Sequence, residues 1–169
     1  MRNQHNWQPT RLIVKDGQLS VSRDHRKAGR WSRLVSALYL PPYNRCIPKY
    51  CRGRLLDLWC GAVPFYGLYR EYVDDNICVD WENSQHDNQF VDVACDLTKP
   101  LPLEDVSFDA IILSSVLEHI PNPAELWHEM SRVLKPGGHL LLGVPFMYWL
   151  HEVPHDYYRY TEFALRRFA

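Results

Sequence analysis

The sequence predicts an α/β fold in which a parallel sheet carries helices on both of its faces. Strand-length apolar segments alternate with helical patterns over roughly 100 residues. Sustained alternation of this kind gives parallel strands joined by right-handed crossovers. Segment 107–115 is almost continuously apolar, as is typical of a strand that is buried on both faces. The length of 169 residues suits one domain with a sizeable core.

The first 50 residues form a separate part of this prediction. Two short apolar segments flank Asp16-Gly17, a pair that favours a two-residue hairpin turn. Apolar residues at helical spacing then predict a helix over 31–40, which the two prolines that follow are expected to end. We therefore divide the chain into a hairpin and helical arm, 1–50, and a main domain, 51–169. The arm is expected to cover either the ligand site or only the sheet.

Charge is divided unevenly along the chain. Residues 1–54 carry 12 Lys+Arg and 2 Asp+Glu, a balance of +10, whereas residues 55–169 carry 7 and 18, a balance of −11. A basic arm on an acidic body is consistent with an anionic partner, although packing of the arm on its own body is the simpler explanation. The basic residues are not clustered as in a nucleic-acid-binding surface, which argues against a nucleic-acid partner.

The sequence also indicates the cellular compartment of the protein. It contains no apolar stretch of about 18 residues, so we expect no membrane span. The five cysteines are odd in number and form no C-x-x-C pair. This pattern is typical of reduced thiols, and it predicts a cytoplasmic protein.

A tight turn follows the first predicted strand of the main domain. The strand Leu55-Leu56-Asp57-Leu58 leads into Trp59-Cys60-Gly61, and such a turn can hold a nucleotide-like ligand on its backbone N–H groups. The next predicted strand, 76–81, contains Asp80, which lies 19 positions after Gly61 (80 − 61). An acid about 20 residues after the turn binds a ribose diol in dinucleotide sites. A loop or capping role for Asp80 is the alternative.

Three stretches in this part of the chain resemble motifs of the class I S-adenosylmethionine (SAM) dependent methyltransferases, type 11 group. The turn is similar to their motif I, Asp/Glu-x-Gly-x-Gly, with Trp59 at the first glycine position and Val63 at the third small position. Segment 114–123 resembles their Ser-x-Val-Leu-Glu-His-Ile-Pro-x-Pro signature, and segment 134–142 their Leu-Lys-Pro-Gly-Gly-x-Leu-Leu-Leu hallmark. The resemblance covers about residues 54–150, in family order.

The resemblance implies a Rossmann-like fold, methyltransferase activity and SAM as the cofactor. It also places an adenine-binding loop at the end of a third predicted strand, 90–97. The residues that it assigns to the cofactor are Asp57, Cys60, Gly61, Asp80, Trp81, Asp96, Leu97 and Ser114. The family fold has seven strands, whereas this sequence ends after the fifth, 139–145. We therefore expect the fifth strand to be an edge that a partner chain, as in a homodimer, or the C-terminal segment covers.

The stretch after the fifth strand is rich in groups that could act on a methyl acceptor. We predict His151 and His155 as catalytic bases, and Tyr158 and Arg159 as substrate-binding residues. A locally hydrogen-bonded loop is the alternative, with Thr161 as the cap of a last helix. The stretch also satisfies the zinc-protease pattern H-E-x-x-H, but a proline lies between the histidines and would break the required helix. We therefore expect no metal site.

Three functional hypotheses follow. The leading one is a SAM-dependent methyltransferase that acts on a small-molecule or lipid-linked acceptor, with an anionic acceptor mildly favoured by the basic arm and Arg159. The second is a non-catalytic, methyltransferase-like scaffold that binds a partner, because Trp59 and the short C-terminus depart from the family. The third is a nicotinamide-dependent oxidoreductase, against which the Leu-Glu-His-Ile-Pro and Lys-Pro-Gly-Gly stretches argue.

Overall fold

The structure, a computed structural model, describes residues 1–27, 29–81 and 88–168. The strands are β1 (Leu12–Lys15), β2 (Gln18–Val21), β3 (Arg54–Leu58), β4 (Asp75–Asp80), β5 (Val93–Ala94), β6 (Phe108–Ser114) and β7 (Leu134–Gly143). The helices are α1 (Arg30–Tyr50), α2 (Tyr66–Tyr69), α3 (Pro123–Val133) and α4 (Glu162–Arg166). Short 3₁₀ turns cover Gln4–Asn6, Asn88–Phe90 and Leu117–His119.

The main sheet has five parallel strands in the order β5-β4-β3-β6-β7. The central strand β3 pairs with β4 on one side and β6 on the other, so that Leu56 lies opposite Ile77 and Ile111. The connection that follows β5 returns the chain to the far side of β3. The crevice at the carboxyl end of β3 is consequently the point where the strand order reverses, which is where open α/β sheets bind ligands.

Helices cover both faces of the sheet, as the sequence predicts. Alternate residues of β3 face opposite sides, so Leu55 joins the apolar cluster that includes α1, α2 and the β1–β2 hairpin. Its neighbour Leu56 joins a second cluster that includes α3 and residues of α4. The N-terminal arm thus shares its core with the sheet. Asp16 and Gly17 have φ of 52° and 73°, the left-handed pair that a tight hairpin turn requires.

Helix α1 is longer than the sequence predicts. The pattern indicated an end at Pro41-Pro42, but the helix continues through both prolines to Tyr50. Both prolines lie on the exposed side, whereas Leu40, Tyr43 and Ile47 are buried against the sheet. The packing of this apolar face therefore outweighs the hydrogen bonds that the two proline nitrogens cannot donate.

Two predicted elements are shorter in the structure. The apolar segment 65–72 predicts a first crossover helix, which the structure reduces to the four residues of α2, because the chain soon turns back to begin β4. The strand predicted over 90–97 is reduced to β5. At its end, a carboxylate oxygen of Asp96 accepts hydrogen bonds from the backbone N–H and the hydroxyl of Thr98, at 2.9 and 2.7 Å. This local turn competes with continued strand pairing.

Strand β7 is at one edge of the sheet. Phe108 pairs with Leu134 and Ala110 with His139, so residues 135–138 bulge out of the strand, with Gly137 at φ 79°. The Lys-Pro-Gly-Gly stretch of the hallmark segment forms this bulge. Within the described ranges, no strand pairs with the outer edge of β7. Cover by a partner chain stays a prediction, since α4 packs on a face of the sheet and adds no strand.

Two further features concern the helices and the cysteines. In the described ranges, none of the helices has the length and apolar character needed to cross a bilayer. All five cysteines are free thiols.

Candidate cofactor and acceptor site

The turn after β3 has an unusual backbone. Trp59, Gly61 and Val63 all adopt left-handed conformations, with φ of 62°, 53° and 51°. Glycine adopts this conformation without strain, whereas a β-branched residue such as Val63 is strained by it. The turn thus has a backbone that suits glycine at two positions where this chain carries a bulky side chain.

Asp80 is the acid nearest to this turn. Its side chain is fully buried, and its two oxygens accept hydrogen bonds of 2.7 Å from the backbone N–H groups of Gly61 and Trp81. The ring of Trp81 stacks on that of Trp59, with centroids 6.3 Å apart. A carboxylate at the strand end beside the glycine turn, with aromatic faces next to it, is a donor set that fits a ribose and an adenine ring. The predicted spacing therefore brings Asp80, Gly61 and Trp81 together.

Asp57 is buried beneath the turn, as Asp80 is, and its partner is a residue of the following helix. Its carboxylate is 4% exposed and accepts a hydrogen bond of 3.1 Å from the hydroxyl of Tyr69 in α2. Burial raises the pKa of Asp57 to about 7, against the opposing effect of the Tyr69 bond. Cys60 is also buried, and the adjacent Cys78 together with burial raises the pKa of its thiol. In this structure both residues stabilise the turn from beneath.

The predicted adenine loop follows β5. The hydrogen bonds from Thr98 lower the pKa of Asp96, and Lys99 lies 3.6 Å from its second oxygen. Leu97 is 1% exposed and belongs to the second apolar cluster. Asp96 is thus ionised at the mouth of the loop, while Leu97 anchors the loop to the core.

The N-terminal arm contributes to this end of the sheet, which the sequence did not reveal. Tyr43 of α1 donates a hydrogen bond of 2.8 Å to Oγ of Ser114, the last residue of β6. The Tyr43 ring stacks on Phe65 at 4.5 Å, and burial raises its pKa to about 12. Gly143, the last residue of β7, leaves the space that the hydroxyl occupies. The arm therefore reaches the carboxyl edge of the sheet, and its role as a cover of the ligand site stays a prediction.

The loop after β7, residues 144–161, is built around one ion pair. Arg159 donates two hydrogen bonds to the carboxylate of Asp156, at 2.6 and 2.8 Å. Its other donors bind the backbone carbonyls of Tyr148, Trp149 and Tyr158. The guanidinium lowers the pKa of Asp156. Arg159, predicted to bind substrate, has a structural role here, because its donors are used within the loop.

The other three predicted residues of this loop differ in exposure. His155 is exposed, and its Nδ1 lies 3.2 Å from the hydroxyl of Tyr157. Tyr158 is 38% exposed and donates a hydrogen bond of 2.8 Å to the carbonyl of Pro121. His151 is half-buried, with its Nδ1 3.2 Å from both the Trp149 carbonyl and the Asp156 carboxylate. The two histidines do not share a helical face, which agrees with rejection of the zinc-protease pattern.

Sequence reasoning missed the groups directly beneath this loop. Glu118 and His119 occupy the 3₁₀ turn after β6, and Glu118 is fully buried. Burial raises the pKa of Glu118 to about 7. The signal in the sequence is a carboxylate next to a histidine inside an otherwise apolar segment.

Comparison with known proteins identifies the family. The profile of the methyltransferase domain family matches residues 56–142, which is more than half of the chain. The chain belongs to this family. A methyltransferase of uncharacterised function from Mycobacterium bovis is 43% identical over 63 residues, which are 34% of this chain. Because the match covers 24% of that relative, the chain spans only a part of it.

Solved methyltransferase structures share the fold. A SAM-dependent methyltransferase from Archaeoglobus fulgidus superposes with a TM-score of 0.61 and 24% identity, over 80% of this chain and 65% of that one. A phosphoethanolamine N-methyltransferase from Haemonchus contortus, solved with phosphomonomethylethanolamine and S-adenosylhomocysteine, gives 0.58 and 20% identity, over 78% and 35%. At these identities the likeness concerns the fold, and it confirms the predicted Rossmann-like class.

Proposed function

We propose that this methyltransferase-family chain is the core of a SAM-dependent methyltransferase. The observation that carries the proposal is the contact of 2.7 Å between the Asp80 carboxylate and the Gly61 N–H, at the carboxyl edge of the sheet. It joins a ribose-binding acid to the glycine turn beside the point where the strand order reverses. Family membership supports SAM as the cofactor.

Each residue of the proposed site has a separate role in cofactor binding or in proton transfer. Bound SAM supplies an electrophilic methyl group on a sulfonium sulfur. Asp80 accepts hydrogen bonds from ribose hydroxyls, and Trp81 offers a ring to the adenine. Tyr43 and Ser114 close the end of the site below the arm. The catalytic contribution is chiefly the alignment of an acceptor atom with the methyl group. His155, which is exposed in the loop after β7, takes the proton of an acceptor hydroxyl or amine.

We propose an anionic acceptor that is a small or a lipid-linked molecule. Residues 1–54, with their balance of +10, support the negative charge. The loop after β7 supports an apolar portion, because Met147 and Leu150 are 87% and 73% exposed and Phe146 and Trp149 are also well exposed. The free thiols support a reducing compartment, the cytoplasm.

Calorimetric titration of the chain with SAM and S-adenosylhomocysteine tests the proposal. We expect binding in the wild type, and a loss of roughly 10–100-fold in affinity for Asp80→Ala, since a hydrogen bond to a charged group contributes about 1.5–3 kcal/mol. Asp75→Ala is the matched control, because Asp75 begins the same strand and is exposed at its other end. Equal SAM affinity in the wild type and Asp80→Ala would rule out this site.

The non-catalytic scaffold is the second candidate, and the left-handed Trp59 supports it. Trp59→Gly removes the indole at the position where the family carries glycine. If Trp59→Gly binds SAM and the wild type does not, the turn is disabled and the chain is a binding module. Binding of NAD in place of SAM would instead favour the oxidoreductase.

A further inference from the structure

Three side chains that can bind a metal converge beneath the loop after β7. They are Glu118 and His119 from the turn that follows β6, and His151 from the loop itself. One carboxylate oxygen and one nitrogen from each imidazole lie within 4.8 Å of one another. The His119 Nε2 and the Glu118 Oε1 are 3.8 Å apart.

The Glu118 carboxylate is unusual in its surroundings. Its side chain is fully buried, and neither of its oxygens has a hydrogen-bond partner among the residues that the structure describes. A buried carboxylate without a partner is costly, and native proteins rarely retain one. The nearby Arg159 does not relieve it, because its donors bind Asp156 and backbone carbonyls. Glu118 is therefore a buried acceptor with no hydrogen-bond donor among the described residues.

The two histidines are oriented as metal ligands are. His119 Nδ1 lies 2.7 Å from the carbonyl of His155. His151 Nδ1 lies 3.2 Å from both the Trp149 carbonyl and the Asp156 carboxylate. These partners only accept, so each Nδ1 carries a proton, and Nε2 is the nitrogen through which each neutral ring would bind a metal. Metal-bound histidines typically have their second nitrogen held in this way.

We propose that Glu118, His119 and His151 bind one divalent transition-metal ion. Two imidazoles and one carboxylate suit Zn²⁺, Fe²⁺ or a similar ion better than Mg²⁺, which prefers oxygen ligands. Ligands of a tetrahedral Zn²⁺ with bonds of about 2.1 Å lie about 3.4 Å apart, so binding draws the cluster inward. Three protein ligands leave a position for water or for an atom of the acceptor.

Metal binding by these three residues does not depend on SAM, and it would overturn the expectation of no metal site. It also assigns His151 to the metal in place of base catalysis, and it leaves His155 as the base. Of the histidines in the H-E-x-x-H stretch, it uses only the first. The other two ligands, Glu118 and His119, come from the turn after β6, and no local pattern in the sequence places them beside His151.

Calorimetric titration of the chelator-treated chain with Zn²⁺, and absorption spectroscopy with Co²⁺, test the proposal. We expect one equivalent of Zn²⁺ per chain. Glu118→Gln keeps the shape of the buried side chain, and His151→Ala removes a ligand on a partly exposed loop. Both are expected to weaken Zn²⁺ binding by at least tenfold, since even indirect partners of a metal change affinity by roughly 10–100-fold. The Co²⁺ absorption bands should be lost in both variants.

His155→Ala is the matched control, since this histidine lies in the same loop but outside the cluster. It should bind Zn²⁺ as the wild type does. Absence of binding by the wild type overturns the proposal, as does equal binding by wild type, Glu118→Gln and His151→Ala. A loss in His155→Ala that equals the loss in His151→Ala would also overturn it. Circular dichroism of each variant distinguishes ligand loss from unfolding.

Discussion

The hydroxyl of Tyr43 donates a hydrogen bond of 2.8 Å to Oγ of Ser114, and this bond joins the N-terminal arm to the carboxyl edge of the sheet. A Cβ atom at Gly143 would overlap that hydroxyl and would lie 3.1 Å from the Tyr43 Cζ. The three residues therefore fit together only because one of them is glycine. Their arrangement fixes how closely α1 approaches the predicted cofactor site.

Gly143→Ala is expected to destabilise the fold by about 1–3 kcal/mol, the range for overpacking of a well-filled region. Tyr43→Phe removes the overlapping atom, so Gly143→Ala should cost much less in that background. Urea denaturation of the two single variants and the double variant measures this coupling. Additive effects of the two substitutions would show that Tyr43 and Gly143 do not meet.

Val106→Asn is expected to stabilise the protein. Val106 has a φ of 51° and is 53% exposed, so its strain is offset by little packing. Asn tolerates the left-handed region, which raises the conformational energy of most other residues by about 1–2 kcal/mol. We expect a gain of about 1 kcal/mol and a rise in Tm of about 2–4 °C in a thermal scan. The control Val14→Asn, in a regular strand, should bring no gain, and an equal rise in both variants would refute the strain at Val106.

Asp57 should make stability fall as pH rises from about 4 to about 7. Its pKa is raised from 3.8 to about 7 by burial, so the folded state holds a proton that the unfolded state releases. This contribution is complete below the unfolded pKa and is lost as pH passes the folded pKa, with an upper size of about 4 kcal/mol. Asp57→Asn should make this slope shallower in urea denaturation measured between pH 4 and pH 8, and the part that remains is expected from Glu118, whose pKa burial also raises to about 7. Parallel profiles for wild type and variant would contradict the shift.

Arg159→Gln should loosen the loop after β7 without weakening SAM binding. The substitution removes the paired hydrogen bonds to Asp156 and the bonds to backbone carbonyls. Hydrogen exchange followed by mass spectrometry should show faster exchange in residues 146–158. The control Arg166→Gln breaks an exposed pair with Glu162 and should leave this loop unchanged. Unchanged exchange in Arg159→Gln would show that these hydrogen bonds do not hold the loop, and it would leave substrate binding as the predicted role of Arg159.

The sequence predicted what depends on local pattern. The strands β3, β4 and β6, the hairpin at Asp16-Gly17 and the cap at Thr161 all follow from periodicity and turn chemistry. The oxygen of Thr161 does accept a hydrogen bond of 3.1 Å from the Ala164 N–H. The proximity of Asp80 and Gly61 followed from the spacing of an acid after a glycine turn, which the βαβ geometry imposes.

What the sequence did not predict depends on distant contacts. The continuation of α1 through Pro41-Pro42 requires the sheet that buries Tyr43 and Ile47. The structural role of Arg159 requires a loop conformation without periodicity, in which carbonyls up to 11 residues away turn toward it. Glu118 and His151 are brought together only when β7 pairs with β6, because each residue follows the end of one of these two strands. Each is a tertiary effect that overrides or escapes local propensity.

The strand order also has a consequence for synthesis on the ribosome. Strands β3, β4 and β5 are made in the order in which they lie, so half of the sheet can assemble as the nascent chain emerges. The central strand nevertheless keeps one open edge until residues 108–114 have been translated, because β6 is its second neighbour. The central strand, whose residues Leu55 to Leu58 are all buried in the complete fold, therefore waits half paired for its partner, and co-translational folding exposes it to chaperones in that interval.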